Sequence, residues 1–200
     1  MVDLLNRLNK DWVAAMRRVS LAMLIYLHEA TGKLFCDYYK HIDPLAASPL
    51  AVAWAGEETS TNRMHLAREY TEKWLHQQQI RDAVGRPDIM THELFHPFLD
   101  TFMFALPYTF RSVAAPDGTA VKLQVTTEAG GTWFVVRRDD QWQMTREAAE
   151  IPITEVIIDP DMAWKLFSKS FRPEQVKEKV TITGDHLLGE TALQMVSVMA

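Results

Sequence analysis

A stripe of acidic and imidazole side chains on one predicted helix is the part of the sequence best suited to chemistry. His65, Glu69, Glu72 and His76 are spaced four, three and four residues apart. Residues three or four apart share a helix face, so all four side chains lie on one side. Glu72 and His76 are one turn apart and can direct a carboxylate and an imidazole at one point. This pair suits a divalent cation of the zinc or nickel type, for which nitrogen and oxygen ligands are usual.

The same spacing also occurs where no metal is bound. A glutamate and a histidine at i and i+4 on a solvated helix face are common and contribute only a few tenths of a kcal/mol. Two features favour the metal site. The apolar residues of the same helix do not form a single face opposite the polar stripe; they are Leu66, Tyr70, Trp74 and Leu75. This indicates a helix that is buried around much of its circumference. The polar stripe also continues over 77–81.

A second pattern, His92-Glu93-Leu94-Phe95-His96, matches the H-E-x-x-H zinc-peptidase motif. Pro97 follows at once, and a proline inside a helix removes a hydrogen bond and clashes with the preceding turn. We therefore expect 92–96 to precede a helix. The chain has no histidine between His96 and His186 to complete the longer metzincin motif. A zincin peptidase is disfavoured.

Composition limits the classes of protein to consider. The chain has 200 residues, 48% of them apolar, with 21 Lys+Arg against 26 Asp+Glu and a net charge of −5. A negative balance argues against nucleic-acid binding, and no apolar run is long enough to span a bilayer. The start of the chain lacks the layout of a signal peptide. These features predict a cytoplasmic protein with no nucleic-acid or membrane partner; they leave the oligomeric state open.

The single cysteine, Cys36, excludes an internal disulfide and any cysteine-rich zinc site. Its apolar neighbours predict a buried, inert thiol.

The type of secondary structure that the sequence predicts changes near residue 110. Before it, apolar residues recur at helical spacing and predict helices over about 2–18, 20–42, 61–84 and 95–106. Ser20 and either Thr61 or Asn62 are suited to cap the second and third helices. Residues 44–60 predict a long loop.

After residue 110, β-branched residues alternate in short segments. Strands are predicted over 120–126, 132–136, 142–144, 153–158 and 180–182, with helices over 160–167 and 186–199. A turn containing Gly130 and Gly131 joins the first two strands. The fold class predicted is α+β, with helices over 1–110 and a small α+β domain over 111–200.

The segment from Glu72-Lys73-Trp74-Leu75-His76 through Arg86-Pro87 resembles the metal-binding helix of the mycothiol-dependent maleylpyruvate isomerase family. The resemblance continues through 99–102 and 105–107. It implies that 1–110 is a DinB-like helical bundle. Residues 163–167 and 182–189 resemble the sterol-carrier-like domain that often follows such a bundle. The likeness covers most of the chain.

The resemblance implies a site of two histidines and one carboxylate, with Glu72 and His76 on two of the ligand positions. The family's other histidine lies in a helix preceding the segment that begins here, so we expect either an N-terminally truncated chain, an incomplete site or a substitute ligand. His28 and His65 are the internal candidates. Glu69, Gln77 and Arg81 are predicted to support the ligands or bind substrate; no catalytic residue is predicted.

The activity implied is the metal-dependent transfer or isomerisation of a small electrophilic substrate. A divalent metal, zinc above others, binds mycothiol or a similar small thiol and holds it as the thiolate. The alternative is a non-catalytic ligand-binding protein of the same bundle type with a degenerate metal site.

Overall fold

A computed structural model describes residues 2–48, 59–86, 88–147 and 150–196. The chain divides into two compact units, Met1–Pro44 and Leu45–Ala200. Most of the predicted loop over 44–60 lies outside the described residues, as does the end of the predicted last helix.

The first unit is a pair of helices, α1 (Val2–Met16) and α2 (Leu21–Tyr39). Both helices are confirmed close to their predicted bounds. The Ser20 hydroxyl accepts a hydrogen bond from the backbone N–H of Met23, which caps α2 as predicted. The prediction that Cys36 is buried is wrong. Its side chain is exposed, because α2 has no buried residue along its length.

The second unit contains six helices, one short 3₁₀ segment and five strands within the described ranges. The helices are α3 (Asn62–Ala83), α4 (His92–Met103), α5 (Leu106–Phe110), α6 (Pro160–Phe167), α7 (Pro173–Val176) and α8 (His186–Leu193), and the 3₁₀ segment is Lys177–Lys179. The strands are β1 (Ala120–Val125), β2 (Gly131–Arg138), β3 (Gln141–Thr145), β4 (Thr154–Ile158) and β5 (Val180–Gly184). No helix in the part of the chain that the structure describes is long and apolar enough to cross a membrane.

The caps of the second unit follow the sequence signals closely. Thr61 accepts a hydrogen bond from Met64 N at 3.3 Å and begins α3. Gly85 ends that helix with φ +67, a left-handed conformation that favours glycine. Asp159 caps α6, whose first residue is the proline Pro160.

Helix α4 differs from its prediction. It begins at His92 and contains Pro97, so the expectation that 92–96 precede the helix is wrong. The carbonyl that loses its helical hydrogen bond to the proline is that of Glu93, an exposed residue near the start of the helix. The helix also ends at Met103, and a separate short helix, α5, follows it.

The five strands form one mixed sheet in the order β3-β2-β1-β4-β5. Strands β1 and β2 are an antiparallel hairpin, with Val125 opposite Gly131 next to the turn. Strands β1 and β4 are parallel and require a crossover, whereas β2–β3 and β4–β5 are antiparallel. The chain is an α+β protein, as the sequence predicts.

One apolar core joins the sheet of the second unit to helices from both sides of residue 110. Its largest fully buried aromatic side chains are Phe95, Phe98, Phe102, Phe110, Trp133, Trp164 and Phe167. Trp74 brings α3 into this core, with its ring 4.1 Å from that of Phe98. The division into domains at 1–110 and 111–200 stays a prediction. The structure itself groups α3, α4 and α5 with the strands, because their apolar faces are buried in the same core.

Candidate functional site

Helix α3 places the predicted metal ligands side by side on its surface. The Nε2 atom of His76 lies 3.4 Å from Oε2 of Glu72, and the two side chains are 69% and 42% exposed. The Nδ1 atom of His76 lies 3.1 Å from Oε1 of Gln79. In the neutral tautomer that carries its proton on Nδ1, Nδ1 donates to that amide oxygen and Nε2 has a lone pair on the side of Glu72.

The distance between these two donor atoms suits a shared ion. Zinc–nitrogen and zinc–oxygen bonds of about 2.0–2.1 Å at a tetrahedral angle place two ligands about 3.3–3.4 Å apart. The chemistry of the pair, one imidazole nitrogen and one carboxylate oxygen, also fits zinc. Within the described ranges, no group of three or more His, Cys, Asp or Glu side chains is arranged to hold a metal. The pair therefore supplies two ligands and leaves the other positions open.

The other charged residues of the predicted site form ion pairs with residues outside it. Glu69 pairs with Lys73 at 3.5 Å, and Arg81 pairs with Asp88 at 3.1 Å. Gln77 is exposed. Sequence reasoning missed Gln79, which lies three residues from His76 and was visible only as part of a polar run.

Of the two internal candidates for a third ligand, His65 also belongs to α3. Its Nδ1 atom lies 3.4 Å from Nη2 of Arg68, whose side chain is buried. His28 lies on α2 in the first unit and is exposed.

A second histidine–carboxylate pair, His96 and Asp100 on α4, forms the centre of a polar cluster that the sequence did not reveal. Nε2 of His96 lies 3.6 Å from Oδ2 of Asp100. Oδ1 of Asp100 accepts a hydrogen bond at 2.8 Å from Nε1 of Trp133 on β2, and it also pairs with the guanidinium of Arg146 just beyond β3. Burial lowers the pKa of the Arg146 guanidinium, which also lies 5.0 Å from the Trp133 ring.

Glycine at the start of β2 lets the imidazole of His96 approach the sheet. Nδ1 of His96 lies 2.7 Å from the carbonyl oxygen of Gly130. A Cβ atom at Gly131 would lie 2.8 Å from the His96 ring and 2.7 Å from the Trp133 ring, closer than real side chains pack. Gly131, one of the two glycines predicted as a turn, therefore also makes room for this cluster.

The geometry of His92 and His96 gives a further argument against a zincin site. Their rings are stacked, with centroids 4.6 Å apart and planes inclined by 14°. Imidazole lone pairs lie in the ring plane, so two stacked rings do not direct both nitrogens at one ion.

A groove of about 980 Å³ lies beside the cluster. Its walls come from residues 45–47 and 59–61, the start of α3, one side of α4 and the end of β3 with Arg146. Asp100 and Arg146 of the polar cluster are among its lining residues, so the groove has both charged and apolar groups.

Comparisons with known proteins give similarities at the level of solved structures. No protein-family model and no curated protein matches the chain. Sterol Carrier Protein 2 from Yarrowia lipolytica in its apo form matches at 11% identity, covering 40% of this chain and 70% of that one, with a TM-score of 0.32. Sterol Carrier Protein 2 Like 2 from Aedes aegypti matches at 13% identity, covering 49% and 95%, with a TM-score of 0.37. The UbiJ-SCP2 ubiquinone synthesis protein matches at 13% identity, covering 50% and 96%, with a TM-score of 0.34.

Proposed function

We propose that the protein is a metal-dependent transferase or isomerase that uses a low-molecular-weight thiol and acts on a small electrophilic substrate. Glu72 and His76 are the protein ligands of a divalent ion, zinc above others. The observation that carries this proposal is the 3.4 Å separation of His76 Nε2 and Glu72 Oε2, which matches two ligands of one tetrahedral ion. The resemblance of 72–87 to the metal-binding helix of the mycothiol-dependent family supports the same assignment.

The exposure of the pair gives a thiol access to the site. Glu72 and His76 would hold the divalent ion, which when bound would lower the pKa of a coordinating thiol such as mycothiol. In the addition, a sulfur–carbon bond would form as the π bond of the activated double bond breaks. The electron pair of that bond would move to the carbon beside the electron-withdrawing group, where solvent would supply a proton.

Gln79 is a positioning residue in this proposal. Its Oε1 would accept a hydrogen bond from Nδ1–H of His76, which favours the tautomer whose Nε2 lone pair is free to bind the ion beside Glu72.

The second candidate is a non-catalytic ligand-binding protein of the same helical type with a degenerate metal site. It is favoured by one observation: the described residues supply two converging donors and no third. Both candidates predict that a small molecule binds, and they differ on whether a metal does.

Zinc titration of the purified, demetallated chain separates the two. We expect one zinc ion per chain, with at least roughly tenfold weaker binding in Glu72→Ala and in His76→Ala, since even the loss of an outer partner of a ligand weakens metal binding 10- to 100-fold. Gln79→Ala should weaken binding less than either ligand variant. His92→Ala is the matched control, because it removes another exposed histidine.

Zinc binding that is unchanged in Glu72→Ala and His76→Ala would exclude the site. A folded chain that binds no zinc would favour the non-catalytic protein. If zinc binds, loss of free mycothiol in the presence of maleate and the zinc-loaded chain tests the transfer activity, with Glu72→Ala as the inactive control.

A further inference from the structure

The lining of the groove beside the polar cluster includes apolar side chains as well as charged ones. The apolar ones include Met64 and Ala67 of α3, Phe104 after α4, and Leu45. Leu45 and Phe104 are 72% and 46% exposed, so this surface is left open to water. A bound apolar group would remove it from water, which is favourable in proportion to the area covered.

The charged groups at the groove have a positive balance. Its lining contains Arg63, Arg146 and a single carboxylate, Asp100. Asp100 is already paired with Arg146. Arg63 is exposed and makes no ion pair with any residue in the described ranges. The chain as a whole has a net charge of −5, so a basic groove runs against its overall balance.

We propose that this groove binds a small amphipathic carboxylate, with the carboxylate on Arg63 and the apolar body against Met64, Ala67 and Phe104. A guanidinium is the side chain best suited to a carboxylate, because it can donate two parallel hydrogen bonds to it. The groove volume of about 980 Å³ lies at the upper end of the range typical of small-molecule sites. It is large enough for a carboxylic acid with a medium-length acyl chain or an aromatic body.

This site is separate from the proposed metal pair. Arg63 and Glu72 are nine residues apart on α3, which at about 100° per residue places them on opposite sides of the helix. Binding in the groove therefore requires no metal, and either proposal can fail while the other stands.

Titration of the full chain with octanoate and with 1-octanol tests the inference. The two probes share an apolar chain and differ in the carboxylate. We expect octanoate to bind with one-to-one stoichiometry and more tightly than 1-octanol. Arg63→Gln should weaken octanoate binding by roughly tenfold, the loss that corresponds to about 1.4 kcal/mol, and leave 1-octanol binding unchanged.

Two further variants locate the site and control for charge. Arg86→Gln removes another exposed arginine, outside the groove lining, and should leave both titrations unchanged. Ala67→Leu narrows the groove and should weaken both probes. Equal binding of octanoate and 1-octanol, or octanoate binding that is unaffected by Arg63→Gln, would overturn the proposal. Zinc binding by Arg63→Gln should equal that of the parent chain, which separates this result from the metal titration.

Discussion

Two histidine–carboxylate pairs with the same four-residue spacing have opposite environments in this molecule. Glu72 and His76 lie on the surface of α3, where their side chains are 42% and 69% exposed. His96 and Asp100 lie on α4 against the sheet, where their side chains are 21% and 34% exposed. The spacing makes both contacts geometrically available, and the packing around each helix decides what the contact does.

The second pair is committed to structure. Asp100 accepts a hydrogen bond from Trp133 and pairs with Arg146, while His96 contacts the carbonyl of Gly130. These partners come from β2, the residue that follows β3, and the turn between β1 and β2. The pair therefore helps to fasten α4 to the sheet, whereas the α3 pair has donor atoms that a ligand can still reach.

The largest effect that distinguishes the two pairs is expected for Asp100→Ala. This change leaves Nε1 of the fully buried Trp133 without its acceptor, at a cost of about 1–3 kcal/mol, and removes a partly exposed ion pair worth up to about 1 kcal/mol. We expect the free energy of unfolding to fall by about 2–3 kcal/mol. Urea unfolding followed by tryptophan fluorescence measures it.

Asp100→Asn and Asp88→Ala are the controls for that measurement. The amide of Asp100→Asn keeps an oxygen for Trp133, so it should recover at least half of the loss. Asp88 is 68% exposed and paired with Arg81, and its replacement by alanine should change stability by less than about 1 kcal/mol. A loss at Asp100 no larger than at Asp88 would contradict the structural role assigned to the α4 pair.

A smaller effect is expected at Tyr70, which joins the two helices that carry the pairs. Its hydroxyl donates a hydrogen bond of 2.7 Å to the carbonyl oxygen of Leu94 on α4. Burial, followed by the charge of Glu93, raises the pKa of Tyr70 above its usual value near 10. Because the folded-state pKa is the higher one, this contribution is complete below about pH 10 and is lost as the pH rises through the folded pKa.

Tyr70→Phe should therefore lower stability by about 1 kcal/mol at neutral pH, the usual net value of one hydrogen bond. The difference between Tyr70→Phe and the parent chain should shrink as the pH is raised above 10. Unfolding curves recorded at pH 8 and at pH 10.5 check this. A difference that stays constant would show that ionisation of Tyr70 is not linked to folding.

Signals within a few residues of each other predicted most of the elements. Ser20 and Thr61 begin their helices, Pro160 begins α6, and Gly130 with Gly131 lies at the β1–β2 turn. These features act through local backbone geometry, which a sequence displays directly.

The features that sequence reasoning missed depend on distant parts of the chain. Asp100 is 33 residues from Trp133 and 46 from Arg146, and no local pattern indicates that these side chains meet. The start of α4 at His92 was missed for a related reason. The cost of Pro97 is local and visible in the sequence, whereas the stability that the helix gains from burying Phe95, Phe98 and Phe102 depends on the rest of the core.

The smallest effect is expected for the α3 pair in the absence of metal. Because Glu72 and His76 are largely exposed, water replaces most of their interaction when one of them is removed. A double-mutant cycle with Glu72→Ala and His76→Ala should give a coupling energy of about 0.3–0.5 kcal/mol, the usual range for exposed pairs one helical turn apart. The same cycle on His96 and Asp100 serves as the reference for a pair held by its surroundings. A metal-free coupling energy above about 1 kcal/mol between Glu72 and His76 would mean that their surroundings hold this pair in place as well. The two pairs would then not differ as described above.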